Sequence, residues 1–416
     1  MEKYYYKCTN CYETFSAEKI EKEFIYLCPE CGESKKNSPL KGILTVEYDY
    51  EKLKKIYTKE NFLRLTAGQI WLYSHLWPVD FNKINKDDLE KLSLPSNQIL
   101  KYLIDGRELY FQDETRNPTY SYKDRASIIV ALKAKELGIK EIAAASTGNA
   151  GSSLAGICAR LGITSHIFVP NNIPEAKRIQ IQSYGANIYL VDGNYDQAFD
   201  LCLEVSKKNN WYNRNTAYNP LSIEGKKSAA FDIYLNTKGK LPEYIFVPVG
   251  DGVIIGGIYK GFLELEKLKL IDKLPKLVAV QAEGSSAVID YIASEIFKFK
   301  PAKTIADSIS AGAPRNLYLA SKAVKATSGF GIKVSDDEIL TAQKQLAHKM
   351  GFLVEPSCAS TYAAYKKEER NIEENKKVML LLTGSGLKDF ASLKKWNNEP
   401  KTKSDVEWIN FLIKEN

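Results

Sequence analysis

The chain of 416 residues is longer than one core supports, so two packed units plus a small appendage are expected. Apolar content of 44%, charged content of 26% and the lack of repeats or low-complexity tracts describe an ordinary folded protein. The formal charge of +7 is carried by Lys interleaved with Glu and Asp, without the clustering a nucleic-acid surface needs, and no apolar run approaches a membrane span.

A cytoplasmic protein is expected, because the start MEKYYYKC has no apolar stretch after its charges. Its partner is a small molecule, with neither nucleic acid nor membrane involved and a homodimer left open. The first 45 residues stand apart as a zinc-ribbon-like segment. Cys8 and Cys11, then Cys28 and Cys31 after a spacer of sixteen residues, form two CxxC turns. Such turns aim two thiolates each at one ion, and four sulfurs close a tetrahedral site without an open position. A structural zinc is expected there. Cys158, Cys202 and Cys358 are scattered among apolar neighbours, and an odd count argues against a disulfide framework.

Residues 46–110 place apolar positions at helical spacing around Trp71, Leu72, Leu76 and Trp77, and read as core helices and connectors. From about residue 125 short strands alternate with longer helices. Helices are expected at 127–137, 151–161, 174–184 and 195–209, and strands at 141–145, 165–169 and 187–191. A second series has strands at 244–248, 277–281 and 378–383 and a helix from about Gly257. This alternation means parallel sheets covered on both faces, with a ligand between their strand ends.

Four turns in this pattern carry polar or glycine residues suited to chemistry. Ser121-Tyr122-Lys123-Asp124-Arg125 opens a helix with a Lys that can serve as a Schiff-base amine if buried. Ser146-Thr147-Gly148-Asn149-Ala150-Gly151 offers hydroxyls and amides at a helix N-terminus, suited to a carboxylate. The turn from Gly250 through Asp251, Gly252 and Val253 to Ile254 lets backbone amides curl around a phosphate, though it has neither Rossmann nor P-loop spacing. Leu382-Thr383-Gly384-Ser385-Gly386 places a hydroxyl at the end of the last apolar strand.

These four turns in this order, with Asn117-Pro118 before the first, Asn219-Pro220 with Glu224-Gly225-Lys226-Lys227, and Glu355-Pro356-Ser357, resemble the threonine synthase family of fold-type II pyridoxal-phosphate (PLP) enzymes. The likeness covers about 105–390 and accommodates the zinc-ribbon-like start. It implies two parallel-sheet α/β domains, tryptophan synthase β-like: a large PLP-binding domain of 46–115 and 206–416 and a small domain of 116–205. By the same likeness Lys123 carries PLP and then serves as acid and base at Cα and Cβ. Asn149 bonds the phenolic oxygen, Gly250, Asp251, Gly252, Val253 and Ile254 bind the cofactor phosphate, and Thr383 faces the pyridine nitrogen. Ser146 and Thr147 take the substrate carboxylate, while Asp124 and Arg125 orient the Lys123 helix. The implied reaction converts O-phosphohomoserine and water to threonine and phosphate by β,γ-elimination and replacement.

Some positions depart from the family pattern. The Arg expected before Glu224-Gly225, which helps bind the substrate phosphate, is Ser222. Thr216 and Ala217 replace an Asn-Ser pair, Tyr120 a Gly, Asp251 an Asn and Ser385 a His. Arg315, one of only nine Arg beside 49 Lys, lies in the Gly/Pro-rich run 306–316 and is the candidate replacement anchor. Alternatives are a cysteate synthase-like β-replacement, a deaminating lyase acting on another small amino acid, and a catalytically silent amino-acid-binding paralogue.

Overall fold

The structure is a computed structural model that describes residues 3–397 except Thr147, Asn172 and Asn194, together with Pro400, Thr402 and Ser404. It begins with a small antiparallel sheet. In its central strand, Tyr4–Cys8, buried Tyr4, Tyr6 and Cys8 alternate with outward Tyr5 and Lys7, the period of two that defines a half-buried strand. Thr14–Ser16 and Leu44–Tyr48 pair on either side of it.

Two larger sheets follow. One runs in the order Asn187–Val191, Thr164–Pro170, Glu141–Ala145, Tyr212–Asn213, and all its pairings are parallel. The other runs Gly331–Val334, Lys276–Ala282, Tyr244–Pro248, Val378–Leu382, Arg107–Asp113 in parallel, with Ile99–Ile104 antiparallel at its edge. Val378–Leu382 has strands on both sides and helices over both faces, so all five of its residues are buried and apolar. No described helix is long and apolar enough to cross a membrane.

The parallel series keep their expected elements, with Glu141–Ala145, Asn187–Val191, Tyr195–Asn209 and Tyr244–Pro248 where the alternation sets them. The stretch 46–110 differs. Ile99–Ile104 and Arg107–Asp113 form a hairpin whose turn, Asp105 and Gly106, has φ of 50° and 81°, the left-handed pair of a tight two-residue loop. Two helices are wrapped on every side. Lys123–Glu136 buries Asp124 through Ala134, and Leu221–Asn236 buries Leu221 through Leu235, so neither shows the apolar stripe by which a surface helix is recognised. That is why the first starts four residues before the expected Ser127 and why the second was not anticipated.

Candidate active site

Lys123 is the first residue of its helix and is half-buried, its exposed part facing the cavity. The turn before it is pinned to the end of the last parallel strand: the Tyr122 amide donates to the Thr383 carbonyl at 2.9 Å, and Ser121 bridges to Gly384. Arg125 anchors the same helix from beneath. Its guanidinium makes two bonds of 2.8 Å to Glu114 and one of 2.6 Å to Asp232, all fully buried. Asp124 accepts from the Thr119 amide at 2.7 Å. Neither Asp124 nor Arg125 lines the cavity, consistent with a positioning role. Burial pushes the Lys123 amine below its ordinary pKa, with Glu355 opposing the shift, which leaves more of the amine neutral and nucleophilic.

Lys123 opens into a cavity of about 550 Å³ between the strand ends of the two large sheets. Ser146, Asn149, Gly250, Asp251, Gly252, Val253, Ile254, Arg315 and Thr383 line it too, so all the expected cofactor and substrate residues but one converge. The exception, Thr147, lies outside the described residues.

Gly252 caps the helix Val253–Lys267 at φ 83°, and its first turn leaves the amides of Val253 to Ile255 without helical acceptors. A Cβ on Gly252 would come within 2.7 Å of Ala320 and one on Gly250 within 2.8 Å of Ile309. Only glycine lets the backbone itself face the cavity here. Asp251 is an unusual member of such a turn. Burial raises its pKa, opposed by the Arg315 amide, which donates to it at 3.1 Å, and by the charges of Arg315 and Lys226. Opposite, the Thr383 amide donates to the Cys358 thiol at 3.1 Å, and burial pushes that thiol up to about 11, so Thr383 has only neutral neighbours at this contact.

Asn149 is committed more firmly than expected. Its amide nitrogen donates to Glu355 at 2.5 Å and to Ser308 at 3.2 Å, while its carbonyl oxygen is buried without a hydrogen-bond partner among the described residues. Glu355 in turn meets Lys177 at 3.2 Å, and Lys177 meets Asp307 at 2.7 Å.

Two cations near this cavity were not expected from the sequence. Arg214 is fully buried; its Nη1 donates to Thr216, a cavity residue, at 3.1 Å, and burial lowers its pKa to about 10. Lys226 lines the cavity directly. Its sequence signal is its place in the Glu224-Gly225-Lys226-Lys227 string, to which no cavity role was assigned. Ser222, the position of the lost family Arg, is fully buried, bonds the Arg214 carbonyl at 3.4 Å and is not among the cavity residues.

The four N-terminal cysteines gather elsewhere, with all sulfurs within 4.8 Å of one another. Sγ of Cys8 and Cys31 are 3.4 Å apart, those of Cys11 and Cys28 3.6 Å. Such spacings approach the edge of about 3.8 Å in a tetrahedron with metal–sulfur bonds of about 2.3 Å. The amides of Asn10 and Cys11 point at Cys8 Sγ from 3.3 and 3.4 Å, as they would at a thiolate.

A buried lysine amine facing a glycine turn at a helix N-terminus, between two parallel sheets, defines a PLP-dependent enzyme of fold type II. In agreement, residues 97–384 match the family described as "Pyridoxal-phosphate dependent enzyme". The chain is 34% identical to the threonine synthase of Methanocaldococcus jannaschii over 98% of its own length and 99% of that protein's. It is 34% identical to the threonine synthase of Methanosarcina acetivorans over 93% and 92% of the two chains. It belongs to the threonine synthase family of PLP-dependent enzymes. Among solved structures it is similar to an O-ureido-L-serine synthase, with a TM-score of 0.64 at 18% identity over 79% of this chain and 99% of that one. Maize serine racemase gives 0.62 at 19% over 81% and 99%; both likenesses concern the fold alone.

Proposed function

We propose that this enzyme converts O-phosphohomoserine and water to threonine and phosphate. The observation that carries the reading is the alignment with threonine synthases along nearly the whole of both chains, joined to a cavity rich in buried cations. The cavity fits PLP: it offers a buried amine for the aldehyde, a side-chain-free glycine turn for the phosphate and a hydroxyl for the ring. Bound PLP supplies an electron sink that acidifies the substrate's Cα proton and stabilises charge during loss of the γ-phosphate.

The protein's part is to bind, orient and move protons. Lys123 holds the cofactor aldehyde and, once released, carries protons at Cα and Cβ. The amides of Gly250 to Ile254 grip the cofactor phosphate, and Asn149, held by Glu355, faces the phenolic oxygen. Thr383 meets the ring nitrogen with a neutral hydroxyl, which leaves that nitrogen unprotonated and favours elimination over transamination. Ser146 and Thr147 with the following helix amides hold the substrate carboxylate, and Arg315 takes the substrate's distal anion. Cys8, Cys11, Cys28 and Cys31 bind one structural zinc. The organisation we propose is residues 1–45, a small domain from 116 and a large domain of 46–115 and the remainder. Its boundary at 205 shifts slightly so that Tyr212–Asn213 stays with the small sheet.

The test is product analysis over phosphohomoserine, phosphoserine, threonine and diaminopropionate. Threonine and phosphate from phosphohomoserine uphold the reading. Ammonia release, or turnover of phosphoserine alone, replaces it with a deaminating or β-replacing lyase, which the loss of Arg at Ser222 would then explain.

A further inference from the structure

Lys226 and Lys227 are neighbours on the helix Leu221–Asn236, and both are fully buried. Their surroundings differ sharply. Lys227 ion-pairs with Glu224 at 2.6 Å and with Glu264 at 2.9 Å, and Tyr48 donates to the same Glu224 at 2.9 Å. Lys226 turns the other way, and its Nζ is buried without a hydrogen-bond partner among the described residues. It shares the cavity with Lys123, Thr216 and the turn from Gly250 to Ile255. Its stem is packed on the first turns of the helix that begins there, since a Cβ on Gly257 would lie 2.6 Å from Lys226 Cβ.

The charge around Lys226 is lopsided. Burial drives its pKa well down, the cations Arg214 and Lys123 push it the same way, and Asp251 alone opposes them. Arg214 is only partly compensated: Tyr195, Asp124 and Cys158 favour its charge, but its Nη2 is buried without a hydrogen-bond partner among the described residues. Removing one lysine from water without an anion is costly, and the fold tolerates such a group where a ligand brings the missing charge.

We propose that Lys226 is a phosphate-binding residue, whose ammonium pairs with a phosphate monoester held at the glycine turn, while Arg214 fixes Thr216 beside it. The proposal rests on the reading of this cavity as the PLP site. The ester is the cofactor's or the substrate's, and the chemistry that Lys226 recognises is the same in both. An ammonium here also offsets Asp251, which would otherwise set a carboxylate against the ester.

The decisive variant is Lys226→Met, which keeps the length of the stem and removes the charge. Lys226→Arg is its charged control. Apo-protein is titrated with PLP and with pyridoxal, following absorbance, and holoenzyme with a non-reacting phosphonate analogue of phosphohomoserine and with homoserine. We expect Lys226→Met to bind one phosphorylated ligand at least tenfold more weakly, its unphosphorylated counterpart within twofold of wild type, and Lys226→Arg to recover most of the loss. A loss confined to PLP assigns the contact to the cofactor ester; a loss confined to the analogue assigns it to the substrate. Equal losses for phosphorylated and unphosphorylated ligands, or no loss beyond twofold for either phosphorylated one, would overturn the proposal. If wild-type enzyme neither binds the analogue nor uses phosphohomoserine, the proposed reaction fails, and the comparison of PLP with pyridoxal still decides the role of Lys226.

Discussion

Lys177 holds Glu355 at 3.2 Å from ammonium to carboxylate, behind the cavity residue Asn149, and hardly any of either side chain reaches solvent. Lys177 belongs to the helix Glu175–Ser183 beside the four-stranded sheet, whereas Glu355 caps the helix Pro356–Glu368 beside the six-stranded one. The pair therefore bridges the two layers. Gly148 makes room for it, since a Cβ there would lie 3.0 Å from Lys177 Cδ.

Removing one partner should cost more than removing both. Lys177→Met strands a buried carboxylate and should destabilise the protein by about 3 to 5 kcal/mol in chemical denaturation. Adding Glu355→Gln should return part of that loss. A single variant within 1 kcal/mol of wild type, by the same order of precision, would show that the bridge is not structural.

The same carboxylate sets a pH dependence. Burial pushes Glu355 up, but Lys177, Lys388 and the Asn149 amide together outweigh it, and its pKa lies below the ordinary 4.5. A depressed carboxyl contributes stability above its unfolded value and loses it as pH falls through the folded one. Wild type should thus outlast Glu355→Gln near neutrality, and the gap between their melting temperatures should close below pH 4.5. A constant gap across that range would contradict the assignment.

Lys123 should be the residue modified when PLP-loaded protein is reduced with borohydride and mapped, and Lys123→Ala should lose both the visible absorbance band and turnover. Because burial lowers the amine's pKa from the ordinary 10.5, its neutral form persists to lower pH than in a free lysine. The rate at which apo-protein captures PLP should reach half its maximum below pH 10.5. Label on another lysine, or a midpoint at or above that pH, would count against this site.

For substrate binding, Arg315→Ala should lower kcat/KM on phosphohomoserine about ten- to a hundredfold, the worth of one charge-assisted contact. Ser222→Arg should restore nothing. Ser222 is fully buried and off the cavity wall, so a long side chain there overpacks the helix and should cost about 1 to 3 kcal/mol of stability. A tenfold gain from Ser222→Arg would mean that this pocket admits the guanidinium after all.

Elemental analysis should find one zinc per chain, lost in a Cys28→Ser, Cys31→Ser double variant. Chelation should loosen the first 35 residues and leave the PLP band in place, since the cysteines lie outside the cavity. It should nevertheless raise KM. The Arg315 guanidinium donates to the Ser38 carbonyl at 3.3 Å and the Leu40 amide to the Arg315 carbonyl at 3.2 Å, so this segment braces a cavity residue.

Much of this site was readable because each of its turns follows a parallel strand with residues that have few other uses. Chemistry and strand ends marked the four turns, the family resemblance singled out Lys123, Asn149, Gly250 to Ile254 and Thr383 within them, and one cavity gathers them. Lys226 and Arg214 were given no role, although Lys226 stands in the Glu224-Gly225-Lys226-Lys227 match, because a residue buried on every side leaves no periodic trace. The partners Lys177, Asp307 and Glu355 are distant in sequence and meet only through the stacking of two sheets. In the hairpin 99–113 the signal was present: Asp105-Gly106 between alternating residues marks a tight turn, and helical spacing was read instead.

The bond from the Tyr122 amide to the Thr383 carbonyl also sets a schedule for the nascent chain. Strand Arg107–Asp113 lies beside Val378–Leu382, so the lysine's turn has its neighbour only when synthesis is almost finished. Until then the turn before Lys123 lacks the partner that fixes it, and pairings of such long range form late and slowly. Capture of the aldehyde is thereby deferred to the completed chain. A product released early, lacking residues after 377, would be missing the strand that joins Tyr244–Pro248 to Arg107–Asp113 and should be unable to trap the cofactor.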